Sequence, residues 1–320
     1  MSRPAELLEA ATTGDRRSLA RMLSLIERGG PTGRAAASLA YRSGREAATV
    51  GITGAPGAGK STLVGRLITV ARATTEEPVA VLAVDPSSPF SGGAILGDRV
   101  RMQEHALDPG VFIRSMATRG HLGGLAVAVP EAIRVLAAAG LPLVLVETVG
   151  VGQVEVEVAS ATDTTVVVVN PRWGDAIQAN KAGLLETADI FVINKADHPG
   201  ARETRRDLEQ MLELSASGDW VPPIIDTVAS TGNGVSDLWE AIGEHRRFLE
   251  EKGDLAGERR RRLEREFKAV LAARIELDLE RRMQHGELAQ LAEDVVEHRL
   301  DPYEAADRLL EHIQSSPEAG

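Results

Sequence analysis

The 320-residue chain has no cysteine. That excludes disulfide bonds and thiolate metal sites, and it fits a reducing, cytoplasmic setting. Aromatic residues make up only 3%, so the core must be filled by Val, Leu, Ile and Ala. A basic surplus is also missing: 36 Lys and Arg stand against 47 Asp and Glu, a net charge of -11. Nucleic-acid binders usually present a basic surface, so no nucleic-acid partner is expected. No apolar run reaches 18 residues, so no membrane span is expected. The opening stretch MSRPAELLEAATTGDRR lacks the long apolar segment of a signal peptide. What the chain does have is ordinary apolar content, 43%, and enough length for one large domain with helical additions.

Three parts follow from the periodicity. Residues 1–46 read as helical, with Leu7, Leu8, Ala11, Leu19, Met22, Leu23 and Ile26 at helical spacing. Gly29-Gly30-Pro31 breaks this run, and a restart is expected over Ala35–Tyr41. Residues 47–252 alternate strand and helix. Strands are expected at 48–53, 78–84, 111–115, 142–147, 164–170, 189–194 and 223–227. Most are continuous apolar runs, as in strands covered on both faces, which predicts an α/β fold with a doubly wound, mostly parallel sheet. Residues 253–320 turn helical and charged. Leu263, Phe267, Val270, Leu271, Ile275 and Leu279 form an apolar stripe that needs a partner surface. A last helix is expected from Asp301-Pro302-Tyr303-Glu304, a capping Asp followed by Pro at the first helical position. Gly253 and the end from Ser315 read as flexible.

The most specific local signal is Gly54-Ala55-Pro56-Gly57-Ala58-Gly59-Lys60-Ser61-Thr62, between an expected strand and an expected helix. It fits the phosphate-loop pattern G-x-x-x-x-G-K-[ST]. The glycines let backbone N–H groups face phosphates, Lys60 reaches the β- and γ-phosphates, and Ser61 offers an oxygen to Mg²⁺. Asn194-Lys195-Ala196-Asp197 follows a strand, as N-K-x-D does in GTP-binding proteins. Asp197 can accept from N1–H and N2–H₂ of guanine, and adenine offers neither. Asn194 is expected to tie this loop to the phosphate loop, and the stem of Lys195 to cover the base. Ser230-Thr231 could present a backbone N–H to guanine O6. Glu147 ends a strand where a Walker B carboxylate belongs, with Glu147-Thr148-Val149-Gly150 in place of D-x-x-G. Asp85 ends another strand, and Asp98 lies in GDRVRM. Mg²⁺ prefers such oxygen ligands and keeps some waters. Asp175, in PRWGD, reads as a turn residue on the local pattern alone.

GAPGAGKST, AVDPSSPFSGGAILGDRVRM, FIRSMATRGHLGGLA, VETVGVGQ and NKAD together resemble the methylmalonyl-CoA mutase-associated GTPases, over about residues 5–285. The resemblance implies a SIMIBI-class GTPase, usually a homodimer, with an N-terminal helical extension and a C-terminal dimerisation arm. It implies a GTP-gated chaperone that controls adenosylcobalamin loading onto a B12-dependent acyl-CoA mutase and helps remove damaged cofactor. By resemblance the Mg²⁺ network falls on Ser61, Asp85, Asp98 and Glu147, with mobile loops at about 85–101, 147–157 and 170–182. The third loop, PRWGDAIQANKAG, departs from the family's PGAGDELQGIKKG. Asp175, Gln178 and Lys181 keep their places, whereas Arg172, Trp173 and Asn180 do not match. Where Ras-like enzymes carry a water-orienting Gln, this chain has Val151, with Gln153 nearest. Arg119 and Arg172 are candidates for an internal arginine finger. Slow hydrolysis by the isolated protein is therefore expected, completed by a mutase that orders the third loop. Lys181 is the candidate stabilising charge, with Asp175 and Gln178 placing it or the water.

Two other readings stay open. A metal-delivery GTPase of the same class needs soft or imidazole ligands, against which stand the absence of cysteine and only seven scattered His. A small-molecule kinase needs an acceptor pocket with a general base, and no such constellation is visible in the sequence.

Overall fold

The computed structural model describes residues 3–85, 103–105, 107–117, 125–148, 160–171, 187–215, 219–283 and 287–315. All seven expected strands are present: β1 Ala48–Gly54, β2 Val79–Asp85, β3 Val111–Ala117, β4 Leu143–Thr148, β5 Thr164–Val169, β6 Ile190–Asn194 and β7 Ile224–Thr227. They form one sheet in the order β3-β2-β4-β1-β5-β6-β7, and every pairing is parallel. Chain order moves outward past β4 to β2 and β3, then returns across β1 to β5. The carboxyl ends of β1, β4 and β5 therefore flank the point where the order reverses, the usual ligand crevice of an open α/β sheet.

The described helices are α1 Arg3–Thr12, α2 Arg16–Arg28, α3 Gly30–Arg42, α4 Lys60–Thr75, α5 Leu125–Ala138, α6 Ala201–Ser215, α7 Val235–Lys252, α8 Asp254–Met283, α9 Glu287–Val296 and α10 Pro302–Ser315. Within the unit that holds the sheet, helices cover both of its faces. On one face Ala80, Leu82, Val84, Val144 and Val146 pack with α5 and with Leu19, Met22, Leu23, Ile26, Ala36 and Ala40 of the N-terminal helices. On the other, Val50, Ile52, Val81, Leu145, Val166 and Val168 pack with Leu63, Val64, Leu67 and Ile68 of α4 and Leu238 and Ile242 of α7. Odd and even residues of each strand thus serve opposite cores, which is why the strands read as unbroken apolar runs. A third cluster sets Val167, Val169, Phe191 and Ile193 against Leu208 of α6.

Local chemistry explains the helix boundaries. Asp15 caps α2 by accepting from Arg17 N at 3.0 Å and Ser18 Oγ at 2.6 Å. Gly29, at φ 62°, closes α2 with its N–H on Leu25 and Ile26 carbonyls. The next helix restarts at Gly30, earlier than the expected Ala35, because Pro31 sits in a first turn where no N–H donor is needed. Gly253 is a left-handed cap, φ 72°, at the end of α7. Residues Met1–Glu266 form one compact unit and Phe267–Gly320 a second. Within the second, α9 packs against α10, and Asp301 caps α10 by accepting from Tyr303 N and Glu304 N. No described helix is long and apolar enough to cross a membrane.

At the amino ends of the strands, polar contacts replace apolar ones. His245 is buried between Thr164, 3.0 Å from Nδ1, and Asp189, 3.3 Å from Nε2, with Trp220 against its ring. Burial pushes its imidazole down to about 4, so it stays neutral at neutral pH. Asp163, just before β5, accepts from Thr49 N at 3.1 Å, from Arg259 Nη2 at 2.8 Å and from Arg262 at 2.8 Å. Arg134 forms a fork with Glu266. These ion pairs fasten the first turns of α8 beneath the sheet.

Burial alone would raise the Asp163 carboxyl, but Arg259 and Arg262 hold it below its ordinary 3.8. Its contribution to stability is therefore present above that value and is lost as pH falls through the folded value. Asp163→Asn leaves two half-buried guanidiniums short of a counter-charge, which should cost about 3 kcal/mol at pH 7 by urea denaturation. The gap to the parent protein should narrow as the pH is taken below 3.8.

Candidate nucleotide site

β1 delivers the chain into the crevice at Gly54, and α4 leaves it at Lys60. Two glycines are enforced by contacts across the loop. At Gly54, φ 131°, an added Cβ would lie 2.0 Å from the Val168 carbonyl oxygen of β5. At Gly59, φ 94°, it would lie 2.3 Å from Asn194 Nδ2. Between them Pro56 and Gly57 are exposed, Ala55 half-buried and Ala58 buried. Lys60 is buried, and its Nζ donates to Gly54 O at 2.5 Å and Ala55 O at 3.1 Å. The ammonium thus lies against the loop whose amides would meet a phosphate, at the start of a 16-residue helix. Thr62 follows on the exposed side of α4.

Ser61 Oγ donates to Glu147 Oε1 at 2.5 Å, and both side chains are buried. Register sets this meeting: Glu147 lies opposite Ile52 of β1 and Ala83 of β2. Thr148 Oγ1 donates to Thr53 Oγ1 at 3.2 Å, a second buried contact between β4 and β1. A hydroxyl and a carboxylate at the phosphate end form an all-oxygen set, which suits Mg²⁺ better than a softer ion. The backbone of Asp85 lies at the same edge, since Val84 of β2 is opposite Thr148; its side chain is outside the described set. Among the described residues no cluster of three or more His, Cys, Asp or Glu could hold a metal. Asp98, Arg119, Val151, Gln153, Arg172, Asp175, Gln178 and Lys181 lie outside the described residues.

On the other side of the loop stands Asn194, the last residue of β6 and 2% exposed. Its Nδ2 donates to Ala58 O at 2.7 Å, while its Oδ1 accepts from Thr227 Oγ1 at 3.1 Å and Ala229 N at 3.0 Å. Lys195, at the positive φ of 59°, donates from Nζ to Gly57 O at 2.7 Å. Asp197 is exposed at the head of this loop. The segment after β7 is a tight turn. Val228 O accepts from Thr231 N at 3.0 Å and Gly232 N at 2.9 Å, and Val228 N donates to Asn233 O. Asn233 N donates to Thr231 Oγ1. From Val228 to Asn233, Ser230 has the one amide without an acceptor among the described residues. Of the pair Ser230-Thr231, the structure leaves Ser230 N–H for an outside acceptor and engages that of Thr231.

The sequence pattern did not single out Thr53, Arg66, Thr227 or Ala229. Each reaches the site through a partner distant in the chain, so no local spacing announces it. Thr227 alone had a signal, as the hydroxyl at the end of a strand level with Asn194.

The family model described as "Methylmalonyl Co-A mutase-associated GTPase MeaB" matches residues 19–284. A protein of Pyrococcus abyssi, described as a "Putative GTPase", is 49% identical over 312 residues, covering 96% of each chain. The mouse protein described as "Methylmalonic aciduria type A homolog, mitochondrial" is 36% identical over 218 residues, 66% of this chain and 52% of that one. Among solved structures, one titled "Crystal structure of LAO/AO transport system kinase" superposes with a TM-score of 0.69 at 27% identity, covering 98% of both chains.

The two close approaches give the glycines unequal weight. Gly59→Ala must displace Asn194 and should cost about 1–3 kcal/mol, with loss of GDP affinity. Gly57→Ala, at φ 74° with nothing within 4 Å, should cost about 1 kcal/mol. Denaturation with and without GDP measures both.

Proposed function

Because the chain belongs to the family of methylmalonyl-CoA mutase-associated GTPases, we propose that it binds and hydrolyses GTP and serves as a chaperone for a B12-dependent acyl-CoA mutase. In this role it gates adenosylcobalamin loading and protects the partner enzyme. The observation that carries the nucleotide reading is the bond from Asn194 to Ala58 O. It joins the phosphate loop and the N-K-x-D loop into one body, so that phosphate and base are gripped at a fixed separation.

In this reading the amides of residues 55–62 and Lys60 hold the phosphates. Ser61 and Glu147 hold Mg²⁺ directly or through its waters, with Asp85 and Asp98 completing the set. When bound, the ion would supply neutralising charge to the phosphates. Lys195 lies along the base, Asp197 accepts from its N1–H and N2–H₂, and Ser230 N–H donates to O6. Asp175, Gln178 and Lys181 assist the transfer to water when a mutase engages their loop. We read 1–46 as the helical extension, 47–252 as the GTPase domain and 253–320 as the arm of a cytoplasmic homodimer. Leu263, Phe267, Leu271 and Ile275 of α8, each 42–66% exposed in the single chain, support that arm.

Base choice is tested by calorimetry. GDP and GTP should bind with Mg²⁺ and ATP should not, because adenine would leave the Asp197 carboxylate unpaired; such sites discriminate by roughly 10⁴–10⁵. Asp197→Asn should shift preference toward xanthine nucleotides, whose O2 can accept from an amide. Equal binding of ATP and GTP by the parent protein would overturn the reading.

The chaperone role is tested by turnover. The protein alone should take minutes or longer per GTP, and a cobalamin-dependent acyl-CoA mutase should accelerate it, toward the roughly 10³–10⁵ that a supplied catalytic charge contributes. Lys181→Ala should respond weakly. Fast hydrolysis without a partner, or no response to any such mutase, would sink this mechanism. Full stimulation of Lys181→Ala would spare the chaperone and remove Lys181 from it.

A further inference from the structure

Arg66 sits on α4, five residues beyond Ser61, with no acidic partner among the described residues. Its guanidinium instead spans two successive carbonyls of the turn after β7: Nε donates to Ala229 O at 3.3 Å and Nη2 to Ser230 O at 3.2 Å. In a trans peptide the C=O and the following N–H point in opposite directions within one plane. Holding Ala229 O toward α4 therefore turns Ser230 N–H away from it. Holding Ser230 O does the same to Thr231 N–H, which duly meets Val228 O at 3.0 Å. At the opposite side of the turn, Ala229 N–H is taken by Asn194 Oδ1 at 3.0 Å. Ser230 N–H, next in the turn, is the donor left over.

From this geometry we infer that Arg66 is a positioning residue for nucleobase recognition: it orients the Ser230 amide toward the six-position oxygen of guanine. The inference rests on the guanine-nucleotide reading above and deepens it. Arg66 touches neither base nor phosphate in this scheme. It acts through two peptide planes, and it couples the helix that begins at the phosphates to the loop that reads the base. The turn has other supports, including the bridge between Val228 and Asn233, so loss of Arg66 should loosen the orientation of one amide without unfolding the loop. A hydrogen bond of this kind is worth up to about tenfold in affinity.

The test compares GDP with 6-thio-GDP, which keeps N1–H and N2–H₂ for Asp197 but replaces the six-position oxygen with sulfur, a weak acceptor. The parent protein should prefer GDP by about tenfold. Arg66→Ala should lose most of that preference by binding GDP less well, with 6-thio-GDP nearly unchanged. Arg66→Lys, with one ammonium for two carbonyls, should recover part of it. Ser230→Pro, which deletes the amide hydrogen, should match Arg66→Ala and gives a second route if that variant folds poorly by circular dichroism. A loss shared equally by both nucleotides in Arg66→Ala would make its role merely structural and overturn the proposal. A parent protein that does not distinguish GDP from 6-thio-GDP would overturn it too, leaving guanine binding through Asp197 intact. A parent protein that binds neither would sink the guanine reading itself and this proposal with it.

Discussion

The carboxamide of Asn194 is the contact on which the crevice depends. It is almost fully buried, where an amide without partners would cost several kcal/mol. Its partners come from three places: Ala58 in the phosphate loop, Thr227 at the end of β7, and Ala229 in the turn that follows. Satisfying that one side chain requires all three to be where they are. It also explains a constraint on the phosphate loop that phosphate chemistry alone does not impose. Gly59 lacks a side chain because Asn194 Nδ2 occupies the space a Cβ would need. The left-handed backbone at Gly59 and the approach of β6 are thus two expressions of the same contact.

The sheet places this contact and isolates it. Its parallel strands bring Gly54, Glu147, Val168 and Asn194 to one edge, and that edge carries the hydroxyl, carboxylate and amide groups discussed above. The opposite edge carries a different polar set, Asp163 with Arg259 and Arg262 and His245 with Thr164 and Asp189. Among the described residues, the interior between the two edges is mostly Val, Leu, Ile and Ala, and Phe191 is the one aromatic among the largest fully buried side chains. Such a core can be filled with few aromatic rings because β-branched residues from both sides of each strand mesh with two helical layers. The N-terminal helices belong to one of those layers: Leu19, Met22, Leu23 and Ile26 share a cluster with Leu82 and Val84.

What could be read in the sequence followed the range of the forces. The seven strands were legible because a doubly covered strand is apolar at every position, and that pattern is local. The phosphate loop, the tie of Asn194 to it, and the Asp301 cap were legible for the same reason, as short spacings with a mechanism. The start of α3 is hidden in the sequence because Gly29-Gly30-Pro31 has the pattern of a break. A glycine can end one helix while a proline opens the next, so a sharp corner and a loop look alike in the sequence. Arg66 was invisible because its partners, Ala229 and Ser230, are more than 160 residues away in the chain. Asp163 was hidden likewise, as an ordinary acidic residue at a strand start whose meaning comes from guanidiniums nearly 100 residues later.

If the chain regulates a partner as proposed, its GDP and GTP forms must differ, and that demand would divide the crevice in two. The guanine loop, the turn at Ser230 and most of the phosphate loop would meet groups common to both nucleotides. Contacts of that kind set affinity but cannot shift an equilibrium between two conformations, since a ligand moves a population only by its differential affinity for the two states. In the proposed reading, the groups placed to sense the third phosphate would be those at the carboxyl ends of β2 and β4, where Ser61 meets Glu147. Thr148 is tied through its hydroxyl to Thr53 of β1, so the segment leaving β4 starts from a point fixed to the strand that carries the phosphate loop.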